Sequence, residues 1–314
     1  MSKKVSITPP VHPELIEGSS GLDKKTSNYL LYETGNFIEK YPECEKELIQ
    51  DFSHVLFIPE NLVIKEIIFL QDILREYNVK NLLIILERSA SVKIYNNTLQ
   101  NFAKSLDPSI NSGRTEGINF NLQENSKLDC YLFLAGEQEA SFVETEFNLS
   151  VNLLGEHAHA NVTGFYLAGK NQKINMQTSQ KHLSQNSFSN LIINGVLAQE
   201  SQVKYCGKIF VAKDAIGVKA SQENKNILLG ENIILDAAPE LEVLNNEVEC
   251  EHGCAAGQFD DKQLFYLQSR GFDKNQATLL LIEGFFGFIN NLDYDIRIRE
   301  SLLEKIKLKI RGIL

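Results

Sequence analysis

Tryptophan is absent from this 314-residue chain and methionine occurs only twice. No apolar run approaches the ~20 residues that a membrane-spanning helix requires. Met1 to Pro10 carries two lysines with no apolar stretch behind them, so no secretory leader is expected and the chain reads as cytoplasmic. Cysteine is sparse and odd in number: Cys44, Cys130, Cys206, Cys250 and Cys254. That pattern excludes a disulfide framework and points to free thiols in a reducing compartment. Basic charge is also short. The formal net charge of −10 argues against a general nucleic-acid binder, and the cationic run from Arg297 to Arg311 reads as a solvated helix face. Several catalytic signatures are missing too. Gly169-Lys170 lacks the glycine loop and the following Ser or Thr of a phosphate cradle, and no G-x-S-x-G or H-E-x-x-H occurs. No pair of carboxylates stands out for acid–base work. The chain is therefore read as binding no nucleotide itself and as not an enzyme.

Short β-type runs dominate what is present. Val55–Ile58 and Leu82–Leu86 come first, with Leu62 to Tyr77 fitting a helix as well as it fits two strands. Phe147, Leu149, Val151 and Leu153 then alternate strictly with polar residues. Further runs follow at His157–Val162, Ile174–Thr178, Leu191–Leu197, Val203–Val211, Ile216–Ala220, Ile227–Leu229 and Ile233–Leu235, and Pro239–Val243 reads as a short edge strand. Many short strands at even spacing mean a sandwich, a barrel or a solenoid. Asparagine recurs among the breaks (Asn175, Asn186, Asn190, Asn194, Asn224, Asn226, Asn232), which suits stacked corners of a parallel β-helix, although the repeat is not exact. Strands are expected to stop after His252. Three helices are expected beyond it: 260–269 capped by Asp260 or Asp261 and ended by Gly271, 273–290 capped by Asp273, and 296–310. They would cap the last coil, whose strand edges need cover. Before Val55 the chain is polar, with short helices expected at 28–39 and 43–52. The boundaries are thus a partly helical N-terminal region 1–54, a β-helix core 55–256 and a C-terminal helical domain 257–314.

The group with most chemistry is Cys250, His252 and Cys254. On an extended segment they share one face. Thiolate and imidazole suit iron, zinc and iron–sulfur clusters, and three donors leave a position open for a partner. The competing reading is plain packing, since buried cysteines behave as small hydrophobes and His252-Gly253 fits a turn. Cys206, His157, His159 and His182 read as structural, with Cys206 in the core and His182 on a coil corner.

The segments Pro239-Glu-Leu-Glu-Val243, Val248-Glu-Cys-Glu-His-Gly253, Ala256-Gly-Gln258 and Leu264-Phe-Tyr-Leu-Gln-Ser-Arg-Gly-Phe272 resemble the SufB/SufD family, the scaffold subunits of SUF iron–sulfur cluster assembly. Weaker matches extend the likeness over roughly residues 80 to 290. The resemblance implies a right-handed parallel β-helix core. It implies pairing of a SufB-type with a SufD-type subunit, docking of the ATPase SufC on the C-terminal helices, and a nascent cluster or iron held transiently at the subunit interface. ATP-driven movement of SufC would assemble that site. Ser269-Arg270-Gly271 and the Glu251-His252-Gly253 run fit the SufD type, as does the lack of the SufB-type cysteine between Gln222 and Gly230, where Asn224 stands. By this likeness His252 and Cys250 contact the cluster or iron. Cys254 departs from the family pattern, which has a small non-thiol residue there; it reads first as a packing substitution and second as an added ligand. Phe265, Tyr266, Arg270 and Gly271 would shape the SufC contact, or simply pack the helical hairpin.

Three alternatives stay open. A SufB-like or homomeric scaffold would hold the cluster alone, and a homodimer is the form open to the isolated chain. A carbohydrate-active β-helix enzyme would need exposed aromatics and clustered acids, and the lack of tryptophan and of a leader speaks against it. A purely structural solenoid would leave the Cys/His group without a task.

Overall fold

The computed structural model describes residues 52–70, 81–97, 115–135 and 143–287, with short pieces at 5–6, 30–33 and within 304–311. The chain is mainly β, a parallel β-solenoid. Its first two strands, β1 (Val5–Ser6) and β2 (Leu30–Glu33), pair antiparallel and lead into β3 (His54–Ile58). From β3 onward strands alternate between two sheets. One sheet takes β3, β5 (Asn81–Leu86), β7 (Thr115–Leu122), β9 (Val143–Leu153), β11 (Gln172–His182), β13 (Gln202–Val211) and β15 (Ile234–Val243). The other takes β4 (Val63–Phe69), β6 (Ser91–Asn97), β8 (Lys127–Ala135), β10 (His159–Ala168), β12 (Phe188–Ala198), β14 (Lys219–Leu229) and β16 (Glu249–Gly257). From β7 to β16 each residue meets its partner 29 to 32 residues further on.

The coil repeats because its corner repeats. Asn61, Ser89, Asn125, His157, Asn186 and Gly217 all have positive φ, and each sits between an odd strand and the next even one. Each also donates its backbone N–H to the coil above: Asn61 to Arg88, Ser89 to Glu124, Asn125 to Glu156, His157 to Gln185, Asn186 to Ile216 and Gly217 to Glu247, at 2.8–3.3 Å. Asparagine and glycine tolerate this left-handed conformation best, which explains their enrichment there. At the opposite corner Asn171, Glu200 and Asn232 also have positive φ, and Glu200 donates its N–H to the Glu231 carbonyl at 3.2 Å. Of the asparagines expected at corners, only Asn186 and Asn232 occupy these turns; Asn175, Asn190, Asn194, Asn224 and Asn226 lie in strands.

Several expectations need correction. Leu30–Glu33 is a strand, not part of a helix, and the rest of 28–39 and 43–50 lies outside the described residues. Val63–Phe69 resolves as β4. Strands β6, β7 and β8 had no counterpart in the sequence reading. Ile216 and Gly217 form a corner, and Ile227–Leu229 is the end of β14. Ile233–Leu235 and Pro239–Val243 merge in β15, so Pro239 lies inside a strand, tolerated because β15 is an edge. His157 is an exposed corner residue, and His182 is a buried strand residue rather than a corner one. Strand β16 continues five residues past His252. Cys206 is half-buried on the outer face of β13 and lines a shallow groove with Gln177, Lys208 and Glu240, so it is not in the core.

Two helices follow: α1 (Asp261–Ser269), capped by the Asp260 carboxylate accepting from the Lys262 N–H at 2.9 Å, and α2 (Lys274–Phe285). Asp273 and Gln276 close a reciprocal capping box on α2. The buried face of α2 is Ala277, Thr278 and Ile282, while Leu280 is exposed. The helical residues described within 304–311 include Ile306 and Ile310, which join Ile282 and Phe286 in one buried cluster. These side chains do not cap the last coil. They pack on the outside of the second sheet, against Tyr95, Tyr131, Phe133, Phe165, Leu167 and Val196. Covered on both faces, the ends of β8, β10 and β12 read as unbroken apolar runs instead of alternating ones.

His182 tests the lumen's polarity. Its two ring nitrogens each lie 2.8 Å from a serine hydroxyl, Ser187 and Ser189, and burial pushes its pKa down to about 4. The folded state thus binds the proton more weakly than the unfolded chain, whose histidine titrates near 6.5. Its contribution is complete above about pH 6.5 and is lost as pH falls toward 4, on the order of 3 kcal/mol. Urea unfolding across this range should show that slope, and His182→Gln should remove close to one proton from it.

Candidate functional site

The last coil, β15 and β16, ends both sheets at the C-terminal end of the solenoid. Register with the coil below fixes which way each side chain points. Ala220, Gln222, Asn224 and Asn226 of β14 are buried in the lumen, and they pair in turn with Cys250, His252, Cys254 and Ala256. All three predicted donors therefore share the lumen-facing side of β16. Opposite them stand the lumen-facing residues of β15, including Leu241 and Val243, which are exposed because no coil follows.

Sharing a face is not the same as converging. Residues two apart on a strand can reach one ion, but Cys250 and Cys254 lie about 13 Å apart along the backbone and cannot both bind it. Among the described residues no group of three His, Cys, Asp or Glu side chains is placed to hold a metal ion. The donor chemistry suits iron, but among the described residues only two adjacent donors of this group could reach one ion, so any further ligands would have to come from elsewhere. Cys250 is half-buried against Val218 and Ala220, and burial raises its thiol pKa, partly offset by a backbone hydrogen bond from Ala220. Burial also raises the Cys254 pKa. Both thiols are therefore protonated near neutrality.

Beneath the donors the lumen changes character. The stacked row Leu132, Gly164, Ile193, Asn224, Cys254 runs from apolar to polar. Asn224 is fully buried; its side-chain N–H donates to the Ile193 carbonyl at 2.8 Å, and its Oδ1 accepts from Asn226 at 2.6 Å and from the Cys254 thiol at 3.8 Å. The Tyr166 hydroxyl donates to Asn226 Oδ1 from two coils away. Gly195 makes this reach possible, because it lies between them in the row and a Cβ there would sit 2.1 Å from the tyrosine ring. Across the lumen Tyr205 and Thr178 share a hydrogen bond of 2.9 Å. Gln222, directly below His252, is buried and neither end of its carboxamide has a protein partner. Sequence reading missed this polar floor: in Gln222-Glu-Asn-Lys-Asn226 every position is polar, so no contrast separates the lumen side from the outer one.

The other predicted group lies on the helical hairpin. No residue of α1 is buried; Phe265 is 73% and Tyr266 56% exposed. The Arg270 guanidinium stands 5.2 Å from the Tyr266 ring centroid, and Gly271 takes φ +96° to turn the chain into α2. A groove of about 320 Å³ beside them is lined by Lys262, Gln263, Tyr266, Leu267 and Leu281. Packing within the hairpin thus leaves the Phe265 ring and more than half of Tyr266 exposed, with Arg270 over the Tyr266 ring.

Gly195→Ala should lower stability by about 1–3 kcal/mol, because the Tyr166 ring must leave its place and Asn226 loses its donor. Thermal unfolding of the purified variant measures this.

Residues 80–285 match the family model for the SUF system FeS cluster assembly SufBD core domain. The chain is 31% identical over 166 residues to the iron–sulfur cluster assembly SufBD family protein ML0594 of Mycobacterium leprae, a stretch that is 50% of this chain and 42% of that protein. It is 27% identical over 165 residues to the iron–sulfur cluster assembly protein SufD of Escherichia coli (52% and 39%), and 27% over 158 residues to SufB of Bacillus subtilis (50% and 34%). The matched stretches thus cover less than half of these relatives' own lengths.

Proposed function

Since the chain belongs to the SufB/SufD family of SUF iron–sulfur cluster assembly proteins, we propose that it is a SufD-type scaffold subunit, non-catalytic and cytoplasmic, that pairs with a SufB-like sister and docks a SufC-like ATPase. One observation carries the reading. The coil that holds Cys250, His252 and Cys254 is also the coil whose two outer strand edges pair with no other strand among the described residues. A sister solenoid that adds its own end coil there continues both sheets by strand addition and brings its side chains over the lumen. The incomplete donor set then gains the ligands it lacks. The iron or nascent cluster is cargo, held between two subunits and released when they separate.

Within the site, His252 is the donor this chain contributes, with Cys250 or Cys254 as its neighbour on the strand. Metal binding displaces the thiol proton. The buried Gln222 amide below offers its N–H donors and its carbonyl acceptor to whatever sits at His252. The core 55–256 serves as the scaffold and the helical segment 257–314 as the docking unit, through Phe265, Tyr266 and the turn at Arg270 and Gly271. The exposed rings on α1 support this, because a helix with no buried face has no internal use for two aromatics. No helix among the described residues is long and apolar enough to cross a membrane.

Anaerobic co-expression with candidate SufB-like and SufC-like chains tests the reading through subunit stoichiometry, iron content and absorbance. A mixed complex whose cluster signal disappears in His252→Ala supports it. Assembly of the chain only with itself, carrying iron, favours a homomeric scaffold instead. His252→Ala should fold normally, since the side chain is exposed. Phe265→Ala/Tyr266→Ala should abolish ATPase capture while changing stability by no more than about 0.5 kcal/mol. A large loss of stability in that double variant would show that the rings are structural.

A further inference from the structure

Charge is distributed unevenly along the solenoid. The coil of β13 and β14, residues 202–229, carries five lysines and two acids. From Asn226 to Asp261 there is no lysine or arginine, while nine acids occur: Glu231, Asp236, Glu240, Glu242, Glu247, Glu249, Glu251, Asp260 and Asp261. Register turns this contrast into pairs across neighbouring coils. Lys208 meets Glu242 at 2.6 Å, Lys219 meets Glu249 at 3.1 Å and Lys204 meets Asp236 at 3.9 Å. A basic coil is therefore followed by an acidic one, and the acidic coil is last.

Resting on the reading of the open end as a pairing surface, we propose that the terminal coil is charge-coded: its acid-only rim opposes pairing with a second copy of this chain and selects a partner solenoid whose facing coil carries lysine or arginine. An edge-to-edge pair of identical coils is isologous, so each edge strand meets its own copy. Whatever the register, every carboxylate or cationic side chain that β15 or β16 offers itself is an acid, apart from the imidazole of His252; the thiols of Cys250 and Cys254 are uncharged near neutrality. Like charges directly opposite on neighbouring strands are destabilising, and opposite ones stabilise. A coil of the opposite sign extends the alternation already present between β13–β14 and β15–β16. Leu241 and Val243, exposed on the lumen side, give the contact an apolar centre within this acidic rim. Repulsive elements of this kind are how specific interfaces reject the wrong partner.

The test mixes the full-length chain with its own charge-reversed variant. Glu240, Glu247 and Glu251 enter none of the ion pairs above, so Glu240→Lys/Glu247→Lys/Glu251→Lys keeps Glu242 and Glu249, the partners of Lys208 and Lys219, in place, while the Glu240 change sets a lysine opposite Lys208 in register. Circular dichroism checks its fold. By sedimentation at low salt, wild type alone should stay monomeric, and the equimolar mixture should pair at least about tenfold more tightly than wild type with itself. Salt should weaken the mixed pair and strengthen any self-pairing, opposite signs that only a screened charge code produces. A control, Glu124→Lys/Glu156→Lys/Glu200→Lys, has the same net charge with its lysines on other coils and should give no mixed pair. Wild type that self-pairs as tightly as the mixture, without regard to salt, overturns the code while leaving the open end as the pairing surface. An equally strong pair with the control also overturns it. Absence of any pairing, in every combination and salt, overturns the proposal and the edge-pairing reading together.

Discussion

A single backbone hydrogen bond, repeated once per coil, organises this molecule. At each corner a residue with positive φ turns the chain and donates its N–H to the carbonyl of the equivalent corner one coil on, from Asn61 to Gly217. The bond fixes the height of one coil above the next and the point at which the chain changes sheets. With those set, the strands have only one register in which to stack. Leucine, isoleucine and valine then fill the lumen in layers, and the helices are left to cover one outer face. Ser89 and His157 hold the same geometry as the asparagines, so stacking outweighs local preference at those corners.

Toward the C-terminal end the lumen trades apolar packing for hydrogen bonds. Tyr166, Thr178, Gln180, His182, Tyr205, Gln222, Asn224 and Asn226 are all buried. A polar interior stabilises less per unit area than an apolar one, and unpaired groups such as the Gln222 amide cost free energy. The same residues prepare a floor for the donors on β16. Stability is concentrated in the earlier coils, and the end coil is left open, polar beneath and acidic at its rim, in a form that suits reversible contact.

Much of this could be read from the residues. The alternation from Phe147 to Leu153 marks β9, and the clustered thiols and imidazole mark the end coil, because in both cases side-chain chemistry and period agree. The helix caps at Asp260 and Asp273 were legible for the same reason: a short acceptor just before an amphipathic run has few other uses. Where the signal failed, two environments overlapped. Strands β6 and β8 lack a clean alternation because the helical residues bury their outer face as well, so Tyr131 and Phe133 are as hidden as Cys130 and Leu132, whereas β7, in the other sheet, alternates cleanly from Gly117 to Leu122 and was legible but missed. The polar lumen of β14 has the opposite problem, with no apolar marker at all. The helical segment was expected at the end of the solenoid because open edges are costly, whereas its described buried residues pack along the flank.

The corner ladder also constrains how such a chain can change length. Adding or removing one residue within a strand would rotate every later side chain from lumen to surface until the next corner restored the phase. Removing a whole turn of 29 to 32 residues disturbs nothing but the count, since corner bonds onto corner as before. Change in this solenoid is therefore quantised: drift in length is tolerated in the corners, and the strands grow only by duplication of entire rungs. The end rung, carrying the donors and the acidic rim, would travel outward intact through any such duplication beneath it.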